Sequence, residues 1–329
     1  MTEQTPRRAR RFVFLVLENA TLLSFACAVE PLRIANRVAG RVLYKWMIAA
    51  EERGGVSFSN GLRVVPDMGL EELERDDVLL VCGGVKVQSA ASRAILNWLR
   101  REARRGITVG GICTGSWALA KAGLLDGRSC TIHWENREAF AEAFPEVRLS
   151  DRIFVIDANR CSSAGGSASA DMMLHMIAGD HGPELAAQVA DQMIYTTVRT
   201  DRDQQRLSIP TRIGVRHPRL ASVIRLMEQK IEEPESPGDL AAAVGMSTRQ
   251  LERLFRRYLN RSPKRYYMEL RLQRARQLLL QTDMSVINVA LACGFTSPSH
   301  FSKCYRAYFR TTPYRERGTA GEAPQDAIG

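Results

Sequence analysis

The chain has 329 residues with 46 Lys or Arg and 36 Asp or Glu, a formal net charge of +10 at pH 7. This length predicts two domains. The seven Cys residues include no CxxC pair and no Cys/His cluster with metal spacing, which argues against structural disulfides and a metal site. We expect reduced thiols, a cytoplasmic location and no cofactor.

The N-terminal sequence RRARRFVFLVL superficially resembles a twin-arginine export signal. Its apolar run from Phe12 to Leu17 stops at Glu18, which is too early for the apolar region of such a signal. No run approaches the ~20 apolar residues of a membrane span. We therefore expect residues 1–10 to be flexible, residues 11–17 to form the first buried strand, and no membrane partner.

Strands and helices are predicted to alternate through residues 11–196. Strands are predicted at 11–17, 44–50, 77–81, 107–112, 129–132 and 153–156, and helices at 21–37, 89–105, from the CTGS segment to 122, 168–177 and 183–195. This alternation indicates an α/β domain with a doubly wound, flavodoxin-like parallel sheet covered on both faces.

The sequence GGICTGS lies where a strand turns into a helix. Gly110, Gly111 and Gly115 permit a tight turn, which would project Cys113 over the carboxyl edge of the sheet, where open α/β sheets bind ligands. The first N–H groups of the following helix, from Thr114 onward, would favour a thiolate or a bound anion.

This elbow resembles that of the DJ-1/PfpI branch of class I glutamine-amidotransferase-like domains. GICTG matches the family's elbow, and TIHW places His133 twenty residues after Cys113, where the family carries its His. The sequence SSAGGSASADMMLHMI resembles the strand, loop and helix that end such domains. The resemblance covers residues 11–195 and implies the DJ-1/PfpI-like fold.

One departure from that family bears on catalysis. Active members bring an acidic residue from the first strand–helix junction to the Cys, whereas our alignment puts Ser24 there. Glu18 lies several residues too early, and Glu135 is expected to face away. Without the acid, a pair of Cys113 and His133 lacks the group that orients and tunes it. We expect a catalytically degenerate ligand pocket; a Cys-dependent hydrolase or glyoxalase is the alternative.

Two tryptophans accompany the elbow residues. Trp117 lies one helical turn beyond Cys113, and Trp134 follows His133. A quaternary ammonium has no N–H to donate, so aromatic faces typically bind it. The alternative is that both tryptophans pack in the core. The predicted ligand-binding residues are Cys113, Thr114, Gly115, Trp117, His133 and Trp134.

The second part of the chain differs in charge. Residues 197–217 are polar without a sustained period, which predicts a linker. Residues 206–318 hold 21 Lys or Arg and 9 Asp or Glu, a net charge of +12 against +10 for the whole chain. A basic domain joined to a near-neutral one is typical of a nucleic-acid reader. The Gly/Ala/Pro-rich residues 318–329 predict a disordered tail.

One helical pattern occurs twice between Asp239 and Pro313, as DLAAAVGMSTRQLERLFRRYLNRSP and as NVALACGFTSPSHFSKCYRAYFRTTP. In each copy, a short helix precedes a Gly of positive φ (Gly245 or Gly294), and a Ser caps a second, amphipathic helix. The predicted buried stripes are Leu251, Leu254, Phe255 and Tyr258, and Phe301, Tyr305, Tyr308 and Phe309. The matched positions indicate two helix-turn-helix motifs.

The exposed faces of the second helices carry the predicted DNA contacts. Residues 263–281 predict a spacer helix of about 18 residues and ~27 Å, which would hold these faces about one DNA turn apart. Contacts to base edges are expected from Arg249, Glu252, Arg253, Ser299, His300 and Lys303, contacts to phosphates from Arg256, Arg257, Lys264 and Arg306, and Gln250 shares the same face.

The sequence RLQRARQLLLQTDMSVINVALACGFTSPSHFSKCYRAYF closely resembles the DNA-binding domain of AraC-family transcription regulators, over residues 218–317. A DJ-1/PfpI-like domain followed by this domain is the layout of the GlxA family. LENATLLSFACAVEPLRIANR and HGPELAAQVADQMIY are similar to members that control catabolism of arginine, glycine betaine and carnitine. The resemblance implies a homodimeric activator whose partners are double-stranded promoter DNA, RNA polymerase and a small amine or amino-acid effector.

Overall fold

The structure is a computed structural model that describes residues 8–205, 209–215, 217–282 and 284–319. The chain divides into two compact units between Gln205 and Arg206. Most of the predicted flexible N-terminus (1–10) and of the predicted disordered tail (318–329) lies outside the described residues. None of the helices in the described part combines enough length with enough apolar character to cross a bilayer.

The first unit alternates strands with helices, as predicted. Its strands are β1 (Arg10–Val16), β2 (Tyr44–Ala49), β3 (Val56–Ser57), β4 (Arg63–Val64), β5 (Val78–Cys82), β6 (Thr108–Ile112), β7 (Ser129–Cys130), β8 (Arg148–Leu149), β9 (Phe154–Asp157) and β10 (Arg160–Ser163). Its helices are α1 (Leu22–Ala39), α2 (Val87–Ala90), α3 (Arg93–Arg104), α4 (Gly115–Lys121), α5 (Arg137–Ala143), α6 (Ala168–His181) and α7 (Pro183–Gln192), with a 3₁₀ turn at Trp134–Asn136.

Six strands form one sheet in the order β2-β1-β5-β6-β10-β9. All neighbours pair in parallel except β9, which runs antiparallel to β10. Helices α1, α6 and α7 cover one face, and helices α2 to α5 cover the other, so each face has its own apolar core. The predicted doubly wound α/β fold is confirmed.

Two local predictions were wrong. The predicted helix 89–105 is two helices, because Ser92 caps α3 by accepting from the N–H of Ile95 at 3.2 Å. The predicted strand 129–132 is only Ser129–Cys130, and it pairs with β8 outside the main sheet. Strand β10 was implied only by the resemblance of the segment that starts at Ser162, because its polar sequence RCSS has little strand propensity and owes its extended form to pairing between β6 and β9.

Residues 199–205, here called the strap, follow α7 and pack on the first unit. The Arg199 guanidinium lies 2.6 Å from the Asp171 carboxylate. The N–H of Ile153 donates to the carbonyl of Asp203, and the Gln205 amide donates to Thr131. The strap overlaps the start of the predicted linker 197–217, and several of its polar groups are paired within the first unit.

The second unit is all α-helical. Its helices are α8 (Ile209–Ile213), α9 (Pro218–Gln229), α10 (Pro237–Ala243), α11 (Thr248–Leu259), α12 (Pro263–Gln281), α13 (Val286–Ala292), α14 (Pro298–Phe309) and α15 (Pro313–Thr319). The start of α12 contributes Tyr267 to a core with α9, α10 and α11. The rest of α12 contributes Leu272, Ala275 and Leu279 to a second core with α13 and α14. One continuous helix therefore belongs to both cores and sets their spacing.

Candidate functional site

Each repeat in the second unit forms a helix-turn-helix. The turns contain Gly245 at φ +65° and Gly294 at φ +72°. Ser247 Oγ accepts from the N–H of Gln250 at 3.3 Å, and Ser297 Oγ accepts from the N–H of His300 at 3.3 Å. The predicted positive φ values and Ser caps are confirmed. The Gln250 side chain also accepts from the N–H of Ser247 at 2.8 Å, so it is held by its own helix.

The buried stripes follow the predicted period, with one correction in each copy. Leu251, Phe255, Phe301 and Tyr305 are fully buried. Tyr258 and Tyr308, which were predicted to be buried, are 36% and 39% exposed. Both lie in the last turn of their helix, at the edge of the core, where the phenol hydroxyl can keep a polar partner. The matched tyrosine is exposed in both copies, which supports the same structure for the two repeats.

The residues predicted to contact DNA lie on the exposed faces of α11 and α14, here called the recognition faces, except for Lys264, which lies at the start of α12. All eleven are exposed: Arg249, Gln250, Glu252, Arg253, Arg256, Arg257, Lys264, Ser299, His300, Lys303 and Arg306. None of the ion pairs found among the described residues uses the basic side chains of this set. By contrast, Arg261 and Arg265 pair with Glu269, and Arg276 pairs with Glu316. The recognition faces therefore carry basic charge that no described carboxylate neutralises, as phosphate binding requires.

Arg219 is a further candidate DNA contact, which the sequence patterns did not indicate. It lies in the first turn of α9 and lines a groove of ≈ 430 Å³ together with Gln250, Arg253 and Arg257. Because Arg219 is outside the repeat, the internal comparison of the two copies could not find it. The sequence feature that could have indicated this contact is a basic residue directly after Pro218, at the start of a predicted helix.

In the first unit, Cys113 occupies the elbow between β6 and α4. Its φ is +60°, an uncommon conformation for a residue other than glycine. Its N–H donates to the carbonyl of Ser163 at 3.0 Å. A Cβ on Gly115 would lie 1.9 Å from the carbonyl oxygen of Val81, so only glycine fits directly after Thr114. Close packing thus holds the elbow, and Cys113 is only 6% exposed.

Hydroxyl groups surround the Cys113 thiol. Thr21 Oγ1 lies 3.8 Å from Sγ, and Ser24 is fully buried beside it. Burial raises the pKa of the Cys113 thiol, an effect opposed by hydrogen bonds from Thr21, the Thr114 N–H and Ser24. Ser24 is thus near the thiol, as aligned. The Glu18 carboxylate instead accepts from the N–H of Ser57 at 3.2 Å.

His133 lies beside the elbow through its backbone. Its N–H donates to the carbonyl of Cys113 at 3.3 Å, and none of the described hydrogen bonds joins its ring to the thiol. Burial lowers the pKa of the imidazole, an effect opposed by Glu135. Glu135 was expected to face away, but its Oε2 lies 3.8 Å from Nδ1 of His133. Since the 3₁₀ turn follows His133 directly, it folds this carboxylate back towards the ring.

The structure separates the two predicted tryptophans. Trp134 is half-buried, with its ring centroid 5.7 Å from that of His133. Trp117 is 7% exposed and packs edge-on against Phe140 and Phe144, at 5.8 and 5.2 Å. It belongs to the core on the opposite face of the sheet from the core that holds the elbow thiol. Helix α4 turns this side chain away from the predicted site.

The predicted ligand-binding residues are therefore only partly brought together. His133 adjoins Cys113 through its backbone and Trp134 through its ring, whereas Trp117 is in the core. Thr114 is buried, and its hydroxyl donates to the carbonyl of Gly84 at 2.7 Å. Glu135, which was expected to face away, lies beside His133. Among the described residues, no three His, Cys, Asp or Glu side chains gather as metal ligands.

Comparisons with known proteins agree with both units. A DJ-1/PfpI family model matches residues 12–179, and a helix-turn-helix domain model matches residues 240–318. The chain is 49% identical over 311 residues to the HTH-type transcriptional regulator GbdR of Pseudomonas aeruginosa, covering 94% of this chain and 85% of that one. It is 40% identical over 316 residues to the HTH-type transcriptional regulator GlxA of Rhizobium meliloti, covering 96% and 98%.

A solved structure is similar to part of the chain. The crystal structure of an AraC family transcriptional regulator from Pseudomonas putida is 28% identical with a TM-score of 0.50, and the match covers 56% of this chain and 99% of that one. The two long sequence matches span both the α/β unit and the duplicated helix-turn-helix. The chain belongs to the family of HTH-type transcriptional regulators in which a DJ-1/PfpI domain precedes an AraC-type DNA-binding domain.

Proposed function

We propose that this chain is a ligand-responsive regulator that reads double-stranded DNA with both helix-turn-helix motifs. The observation that carries the proposal is the pair of exposed recognition faces, whose basic side chains have no described carboxylate partner, joined through α12. Family membership supports it. By the same resemblance we propose a cytoplasmic homodimer that contacts RNA polymerase as an activator, with the first unit as the dimerising part.

The spacing of the motifs leads to a footprinting prediction. Helix α12 has 19 residues, which at ~1.5 Å each give roughly 28 Å, close to the ~34 Å repeat of the major groove. One protomer should protect two major-groove segments about 10 bp apart on one DNA face, and a dimer two such pairs. Hydroxyl-radical footprinting on a duplex that the full chain selects from a random pool measures this. Protection of a single half-turn per protomer would contradict it.

We propose an effector site in the first unit at Cys113, His133 and Trp134, with Glu135 added. A half-buried indole face and a nearby carboxylate suit a cationic amine, because cation–π attraction and charge act on the same group. With its lowered pKa, His133 is neutral at neutral pH and can accept a hydrogen bond from a primary ammonium. These features support an amino acid or amine as the effector class, with a role in its catabolism.

Removing the indole of Trp134 should weaken effector binding. Trp134→Ala should cost ~0.5–2 kcal/mol of binding free energy, the usual range of a cation–π contact. The measurement is a thermal-shift titration of the full chain with arginine, glycine betaine and carnitine, since ligand at 100 times Kd stabilises by ~2.7 kcal/mol. Trp117→Phe is the matched control, because its ring packs in the core and should not touch ligand. Unchanged affinity in Trp134→Ala would place the ligand elsewhere.

We propose that Cys113 does not act as a nucleophile. Its pKa is raised by burial, Ser24 occupies the aligned position of the family's acid, and no described hydrogen bond links the thiol to His133. A thiol nucleophile reacts as the thiolate, which this environment disfavours. Cys113→Ser should therefore retain the effector response of a reporter driven by the selected duplex. Loss of that response in a folded, DNA-binding variant whose effector affinity is unchanged would support the Cys-dependent enzyme instead.

A further inference from the structure

The strap is tied to the loop that covers the Cys113 thiol. Its Arg199 guanidinium pairs with the fully buried Asp171 carboxylate and donates to Ser167 Oγ at 2.8 Å. Ser167 directly follows Gly165 and Gly166, in the loop between β10 and α6. Arg199 therefore anchors the segment in which these two glycines lie.

The two glycines form a wall of the candidate site. A Cβ on Gly165 would lie 2.6 Å from Cβ and 2.9 Å from Sγ of Cys113, so the backbone here touches the thiol side chain. The N–H of Gly166 donates to Ser24 Oγ at 2.7 Å. A displacement of this loop would uncover the thiol and remove a hydrogen bond from the serine beside it.

The last strap residue is tied to a second wall. Gln205 Nε2 donates to Thr131 Oγ1 at 2.9 Å, to the carbonyl of Ile132 at 3.0 Å and to that of Arg152 at 3.2 Å. Two of these acceptors are backbone carbonyls, which cannot donate a hydrogen bond. The Gln205 amide must therefore present its NH₂ group to them, not its oxygen. The next residue after Ile132 is His133. Gln205 thus holds the backbone from which the candidate ligand-binding side chain projects.

Polar contacts hold the strap. None of its residues is fully buried. Between Arg199 and Gln205, its side-chain contacts include the exposed ion pair of Asp201 with Arg152. Segments with few buried apolar contacts open at low free-energy cost. Between Thr200 and Gln205 the strap can therefore change position without unfolding the unit, while Arg199 stays paired with the buried Asp171. The strap leads directly to Arg206, where the DNA-binding unit begins.

We propose that Arg199 and Gln205 are positioning residues of the candidate effector site, and that the strap couples this site to the DNA-binding unit. The inference rests on the proposed function, whose effector site it extends. Coupling between two binding sites is reciprocal. DNA bound by the second unit should therefore change the accessibility of Cys113, just as an effector at Cys113 should change DNA affinity.

Site-specific alkylation of the full chain tests the proposal without a known effector. Iodoacetamide labelling is followed at each Cys by peptide mass spectrometry, with and without the duplex selected from a random pool. The half-buried Cys304 lies on α14 within hydrogen-bonding distance of His300, so its protection reports DNA occupancy. We expect DNA to protect Cys304 and to change the Cys113 rate at least threefold.

Substitutions in the strap test whether Gln205 positions the candidate effector site. Gln205→Ala should raise the Cys113 rate of the free protein at least threefold and abolish its response to DNA, while Cys304 stays protected. Gln205→Glu keeps the shape but sets a carboxylate against two carbonyl oxygens, so it should behave like Gln205→Ala. Arg202→Ala is the matched control, since this exposed strap residue makes no described side-chain contact; it should behave like the wild type.

The outcomes distinguish the inference from the proposed function. If DNA protects Cys304 but leaves the Cys113 rate of the wild type unchanged, the coupling is refuted and DNA reading stands. If the chain selects no duplex, DNA reading and coupling both fail, and the free-protein rates still decide the positioning role. Equal Cys113 rates in Gln205→Ala and Arg202→Ala would refute positioning.

Discussion

We expect Gly294→Ala to destabilise the second helix-turn-helix by about 2–5 kcal/mol, and Gly245→Ala at the matched position to cost the first only about 1–2 kcal/mol. Both glycines have positive φ, which penalises any Cβ. Around Gly245 nothing lies within 4 Å of the new Cβ. At Gly294 it would lie 2.6 Å from the carbonyl oxygen of Ile231 and 2.8 Å from that of Glu232, and backbone cannot move aside as a side chain can.

Local measurements can distinguish the two glycine variants. All four Trp residues precede residue 206, so Trp fluorescence should report an unchanged first unit in both. Hydrogen exchange of the amides of α13 and α14 should accelerate in Gly294→Ala far more than that of α10 and α11 in Gly245→Ala. In footprinting, Gly294→Ala should lose one of the two protected groove segments. Equal exchange effects in the two motifs would contradict the steric argument.

Arg253→Ala should cost ~1–3 kcal/mol of binding to the selected duplex and relax sequence preference, whereas Arg257→Ala should weaken all DNA alike and reduce the salt slope by ~1. Arg253 lies one turn beyond Gln250 on the exposed face of α11. Arg257 lies a further turn along, with its guanidinium 5.4 Å from the ring centroid of Tyr258. We assign base reading to the first and phosphate contact to the second because the start of a recognition helix enters the groove most deeply.

Fluorescence anisotropy at several salt concentrations, with the selected duplex and a scrambled one, measures both effects. Arg265→Ala is the control, because this exposed arginine is already paired with Glu269 at 3.1 Å and should affect DNA binding least. An equal loss on both duplexes for Arg253→Ala would refute its assignment to base edges.

The features that could be predicted from the amino-acid sequence are those that local chemistry encodes. The alternation of apolar strands with amphipathic helices predicted the α/β unit. The duplicated pattern predicted both helix-turn-helix motifs, with Gly245 and Gly294 at positive φ and Ser residues as caps. Each feature depends on residues within a few positions of one another, since helix period, capping and glycine turns are short-range effects.

Which of these residues contact one another depends on how the sheet and helices pack. Trp117 is one helical turn from Cys113 in sequence, yet the sheet separates their cores. Strand β10 has a polar sequence and exists because two neighbouring strands pair with it. Gln205 lies 73 positions from Ile132, so no periodicity could show their hydrogen bond. Contacts between distant segments depend on how sheet and helices pack, which local sequence patterns do not specify.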